Sequence, residues 1–146
     1  MARGYPDYFG FSVFPSYGDF AREDFNENPG GGAVRYEIFG LTAKGKTAGG
    51  YFYVHTAPLT TNDFLLEVRI DGEYFSPGRV WADVNYNYSG NPDNILQLKY
   101  ANTRTHVYTY AFAKDWTFGY EFDLVASVLD INAITCLGSF FYFQYA

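Results

Sequence analysis

The sequence predicts an all-β protein: an antiparallel β sandwich, jelly-roll-like, with an irregular aromatic N-terminal arm. Three observations carry this reading. Beyond residue 33 the chain falls into short segments whose side chains alternate with a period of two, the spacing that sends successive strand residues to opposite faces. Turn-forming residues interrupt these segments at intervals of roughly 8–12 residues, the rhythm of sandwiches and barrels. No long stretch repeats at the helical period, and no internal repeat marks a propeller or solenoid.

Residues 1–33 read as the arm and residues 34–146 as the sandwich domain. Eight aromatic residues, Tyr5, Tyr8, Phe9, Phe11, Phe14, Tyr17, Phe20 and Phe25, fall in the first 25 positions among Gly4, Pro6, Gly10, Pro15 and Gly18. Glycine and proline at that density break helices and strands alike. Each large aromatic ring carries on the order of 150–250 Å² of surface, which a segment without regular structure cannot bury alone. The arm is therefore expected to lie against neighbouring chains. Asp19 to Glu27 reads as a polar, acidic stretch of it, and Gly30-Gly31-Gly32 as a flexible joint.

The strands follow in order. Val34 to Phe39 alternates, a turn at Lys44-Gly45-Lys46 follows, and Gly50 to Thr56 forms a second strand. Phe64, Leu66, Val68 and Ile70 alternate with Leu65, Glu67 and Arg69. The Asp71-Gly72 pair that comes next marks a tight hairpin, because a type I′ turn needs positive φ at both central residues. Val80 to Tyr86 alternates and is expected to be a strand, with Trp81, Asp83 and Asn85 on one face. Ile95 to Tyr100 and His106 to Phe112 continue the series, the latter with His106, Tyr108, Tyr110 and Phe112 on one side. Phe122 to Leu129 fits a strand or, by its i, i+3, i+4, i+7 spacing, a helix; its β surroundings favour the strand. Ile134 to Tyr145 completes about eight or nine strands.

Composition excludes several function classes. Aromatic residues make up 22% of the chain, too many for disorder and concentrated in types that favour strands and interfaces. The net charge of −6 and pI near 4.7 supply no basic footprint for nucleic acid and no polybasic membrane site. No apolar run approaches the roughly 18 residues of a membrane helix, and the first residues lack a signal-peptide core. The single cysteine, Cys136, sits in an apolar stretch and reads as a small buried hydrophobe.

Catalytic motifs are sparse. His55 and His106 fall in predicted strands. The carboxylates Asp71, Glu73, Asp83, Glu121 and Asp123 occupy ordinary turn and strand positions. Gly40-Leu41-Thr42-Ala43-Lys44-Gly45-Lys46-Thr47 has the spacing of a phosphate-binding loop. That loop needs a helix starting at its Lys-Thr pair, and here a glycine-broken, β-prone segment follows. It reads as a hairpin loop. No enzyme activity, cofactor or metal is expected. The aromatic candidates for stacking a sugar ring are Trp81, Tyr86, Tyr88 and Trp116.

The aromatic opening from Gly4 to Gly18, followed by a β domain carrying Ile70-Asp71-Gly72-Glu73, resembles small all-β structural proteins of tailed-phage and other virus particles. The resemblance implies a non-enzymatic virion subunit, a capsid decoration or cement protein or a vertex or tail component, that self-associates and contacts a shell or capsid protein through the arm. It implies an extracellular particle assembled from chains made in the cytoplasm without a signal peptide. The alternative is a carbohydrate- or receptor-binding β module.

Overall fold

A computed structural model of the chain describes residues 18–56, 63–86 and 94–145. The arm aromatics Tyr5, Tyr8, Phe9, Phe11, Phe14 and Tyr17 lie outside the described residues, as does Tyr88. The elements are β1 (Asp19–Glu27), β2 (Tyr36–Thr42), β3 (Gly45–Thr56), β4 (Phe64–Ile70), β5 (Glu73–Arg79), α1 (Val80–Tyr86), β6 (Leu96–Asn102), β7 (Val107–Phe112), β8 (Lys114–Phe118), β9 (Glu121–Val128) and β10 (Ile134–Gln144).

Two antiparallel sheets pack face to face. One runs β1-β10-β3-β7-β6, with β8 also paired to β3; the other runs β2-β9-β4-β5. β7 pairs with Tyr51–His55 of β3 and β8 with its Gly45–Ala48 half, so the two act as one strand interrupted at Ala113. With that merger, β1-β10-β3-β7/β8 faces β2-β9-β4-β5, the strand order of a jelly roll, and β6 is an added edge strand.

The alternation read from the sequence sets the core. Phe64, Leu66, Val68 and Ile70 of β4 point inward, as do Phe122, Leu124, Ala126 and Val128 of β9, so the ambiguous segment is a strand. Phe140 of β10 stacks on Phe122 across the sheets at 4.3 Å and meets Phe112 edge-on at 4.9 Å. On the inner face of the larger sheet, Phe25, Gly138 and Phe52 lie side by side on β1, β10 and β3. Gly138 has no side chain, and the rings of Phe25 and Phe52 close over it at 5.7 Å.

Several stretches differ from the sequence expectation: β8 is an additional strand, His106 lies in a turn, Gly45 and Lys46 begin β3, and three further stretches change character. Asp19–Glu27 is not part of an irregular arm; it pairs with β10 along its whole length, and Phe25 is buried in the chain's own core. The charged side chains of this stretch sit at an edge, where they suit a strand that must not pair further. The triple glycine is a tied turn rather than a loose joint: Gly32 N–H donates to Asp130 O (2.9 Å) and Ala33 N–H to Gly30 O (3.1 Å). Val80–Tyr86 is a helix of about two turns, not a strand. Val80 and Val84 are one turn apart and both pack toward the core, while Asp63 accepts the Trp81 N–H at 3.3 Å. The same apolar residues satisfy both periods over so short a run, and the outside carboxylate favours the helix.

Candidate functional site

The two outer faces of the sandwich differ in chemistry. On the four-stranded sheet, Arg35 forms a two-pronged pair with Glu67 (3.1 and 3.3 Å) and lies 3.7 Å over the Tyr74 ring. Arg79 donates to Asp63 at 2.6 Å, and Arg69 Nε approaches Glu121 at 3.3 Å without hydrogen-bond geometry. Beneath these pairs burial pushes the Asp123 carboxyl above its usual range, although the Leu41 N–H at 3.2 Å holds it down in part. This face is covered by its own ion pairs.

The outer face of the six-stranded sheet carries aromatic side chains instead. The strand register sets three rows across β1, β10 and β3: Arg22, Phe141 and Gly49; Asp24, Ser139 and Tyr51; Asn26, Leu137 and Tyr53. Short side chains flank Tyr51 on both sides, Ser139 on β10 and Ala111 on β7, so its ring stands clear of the sheet at 67% exposure. An open groove of about 570 Å³ results, walled by Tyr51, Tyr53 and Phe141 and floored by Gly138 and Ser139. Asp24 Oδ1 accepts from both Arg22 Nε and Ser139 Oγ, each at 2.6 Å. Those bonds hold the Asp24 carboxyl below the usual carboxylate range.

At the Gly18 end of the same face, Phe20 (61% exposed) lies 5.8 Å from Phe141 and 5.6 Å from Phe143. Gly18 itself has positive φ and is pressed against the Gln144 carbonyl. Of the eight expected arm aromatics, Phe20 is thus displayed beside the point where residues 1–17 join the sheet, and Phe25 is core.

The stacking candidates Trp81 and Trp116 sit on different elements, α1 and β8. Trp81 is 57% exposed on α1, where Asn85, one turn on, donates its side-chain amide to Trp81 O at 2.7 Å. Tyr86 is the last helical residue. Trp116, on β8, is partly buried and turns its edge to Phe75 at 5.5 Å, beside a smaller recess of about 330 Å³.

The phosphate-loop spacing spans a hairpin. Lys46 pairs with Asp115 at 3.5 Å, and the buried Thr47 hydroxyl accepts the Trp116 N–H at 2.9 Å. Among the described residues no helix starts at its Lys-Thr pair, which lies in β3. His55 is exposed on β3, and His106 occupies a positive-φ turn position before β7, where its carbonyl accepts the Thr56 N–H. Cys136 is fully buried, and burial pushes its thiol up to about 12. Among the described residues no three His, Cys, Asp or Glu side chains converge as metal ligands would.

Sequence reasoning missed Arg22, Asp24, Tyr51, Tyr53 and Ser139. The alternation of Tyr51, Tyr53 and His55 against Phe52 and Val54 was readable, but both faces are aromatic. Which one is outward, and which residues of β1 and β10 lie beside it, depends on pairing between distant strands. No protein-family model matches the chain, and no curated protein is significantly similar to it.

Proposed function

We propose that this protein is a non-enzymatic structural subunit of a virion or similar protein assembly, of the capsid-decoration, cement, vertex or tail kind. Its N-terminal segment and the adjoining aromatic corner would mediate contacts with further copies of the chain and with a shell protein. One observation carries the reading: Phe20, 61% exposed, clusters with the half-buried Phe141 and Phe143 where a segment rich in Tyr and Phe joins the sheet. Contiguous exposed apolar surface marks interaction sites in folded proteins. The jelly-roll order and the ion-paired opposite face fit a subunit with one contact side and one solvent side.

The test is the mass of the protein in solution by light scattering, for the full chain, for a chain beginning at Gly18, and for Phe20→Ser. The full chain is expected as an oligomer and both variants as folded monomers with unchanged far-ultraviolet circular dichroism. The truncation must stop before β1, since removing residues 1–33 would strip a paired strand and Phe25 from the core. A full chain that is monomeric alone and in mixture with shell proteins would remove the basis of the reading. A second reading, a carbohydrate- or receptor-binding module, is favoured by the groove beside Tyr51 and Tyr53.

A further inference from the structure

We infer that the groove on β1, β10 and β3 is a binding site for a neutral hexopyranoside, with Tyr51 as the stacking surface and the Arg22–Asp24 pair as the reader of two adjacent hydroxyls. The inference deepens, and rests on, the second reading above.

Three features converge on this ligand class. The first is the ring. A sugar presents a face of C–H groups, and Tyr51 offers an open aromatic face between the short side chains of Ser139 and Ala111. Tyr53 follows two residues on, on the same face, about 6.5–7 Å away along the strand. An aromatic side chain with two χ angles loses little entropy when it is covered.

The second is the polar pair. Asp24 Oδ1 already accepts from Arg22 Nε and Ser139 Oγ, which fixes the carboxylate and the guanidinium in place. Asp24 Oδ2 and the terminal guanidinium nitrogens of Arg22 make no hydrogen bond among the described residues. They form a fixed acceptor beside a fixed donor. Two adjacent hydroxyls match that pattern, one donating to the carboxylate and the other accepting from the guanidinium. Asn26, in the next row, supplies a further donor and acceptor at the groove wall.

The third is charge. The chain's net charge of −6 disfavours sialylated or sulfated sugars and leaves neutral ones. The groove of about 570 Å³ lies within the usual size range of small-molecule sites. Its open shape covers one side of a sugar and predicts weak, millimolar binding to a single ring.

The experiment titrates ¹⁵N-labelled full-length protein with methyl β-D-galactopyranoside, methyl β-D-glucopyranoside and methyl α-D-mannopyranoside, each to roughly 50 mM. At least one glycoside is expected to shift the amide signals of Asp24, Tyr51, Tyr53 and Ser139. Tyr51→Ala and Asp24→Asn, both at exposed side chains, are each expected to weaken that binding about tenfold or more, with the rest of the spectrum unchanged. No shift with any of the three glycosides would overturn the inference, as would equal binding by both variants. Shifts centred on Trp81 instead would overturn this site while leaving a carbohydrate-binding function standing. Movement of the groove signals on dilution without sugar would assign the groove to a second copy of the chain, and the inference would fall.

Discussion

Replacing Asp71 by Asn should destabilise the fold by about 2 kcal/mol, and the difference should vanish in acid. Asp71 sits in the β4–β5 turn with φ of 50°, followed by Gly72 at 89°, the hairpin geometry read from the sequence. Its carboxylate also reaches the turn between β8 and β9. Oδ2 accepts the Gly119 N–H at 2.7 Å, and Oδ1 accepts those of Tyr120 (2.9 Å) and Glu121 (3.1 Å). Glu121 answers by accepting the Gly72 N–H at 3.0 Å. Asn tolerates the same positive φ and keeps one carbonyl oxygen, so two bonds persist as neutral ones. The third is replaced by an amide facing the Gly119 N–H. Losing one charge-assisted bond of about 1.5–3 kcal/mol and weakening two others gives roughly 3 kcal/mol, which access of water to this exposed turn trims to about 2.

Urea unfolding at about pH 6 measures the gap, which corresponds to a melting shift of roughly 4–8 °C at this chain length. Partial desolvation pushes the Asp71 carboxyl up, but the three N–H groups outweigh it and leave its pKa below the ordinary 3.8. A depressed folded value means that the unfolded state binds the proton more readily. The stabilisation is therefore fully present above about pH 4 and is lost as pH falls through the folded value. At about pH 2.5 the wild-type and Asn proteins should have drawn together. A gap below about 0.5 kcal/mol at pH 6, or one that persists undiminished in acid, refutes the assignment.

Further outcomes follow from the packing. Gly138→Ala should cost about 2–3 kcal/mol in denaturant melts, because the added methyl meets the Phe52 backbone and the Tyr51 carbonyl rather than a yielding side-chain tip. An unchanged midpoint would mean that β3 and β10 are not so closely apposed. Gly72→Val should cost at least about 1 kcal/mol, since a β-branched residue is strained at positive φ; an unaltered melting temperature counts against the turn. Cys136 should resist alkylation at about pH 8 in the native protein and react fully in denaturant, as a buried thiol held as S–H; rapid native labelling would contradict its burial.

Much of the architecture was legible because one face of most strands is buried. The alternation of Phe64 to Ile70 and the Asp71-Gly72 turn identify their elements from local chemistry alone, and Tyr108, Tyr110 and Phe112 share one face as expected, whereas His106, expected beside them, falls in the turn before β7. Reading failed where two local rules agreed with different structures. Val80 and Val84 suit a strand and a helix equally, and the deciding hydrogen bond comes from Asp63. Asp19 to Glu27 looked like solvated chain because its partner, β10, is the last described strand. The groove was the least legible feature: Asp24, Ser139 and Tyr51 are neighbours only through the register of three strands far apart in sequence. The double role of Asp71 escaped for the same reason.

The pairing of β1 with β10 has a consequence for how the chain acquires its shape. Asp19 is aligned with Gln144 and Glu27 with Cys136, and β10 is also the strand that joins β1 to β3. During synthesis β1 emerges more than a hundred residues before the neighbour that completes its hydrogen bonds. Until then Phe20 and Phe25 have no sheet to rest on, and the inner faces of β3 and β7 lack their central partner. Pairing between such distant segments closes a long loop before it is rewarded, which slows folding. Commitment to the native state should thus come in a single late step, when β10 inserts between the two waiting strands. A chain stalled before that step would present aromatic residues and open strand edges together, the combination most prone to wrong association. The same strand that closes the sheet therefore sets the interval during which the protein depends on protection from its neighbours.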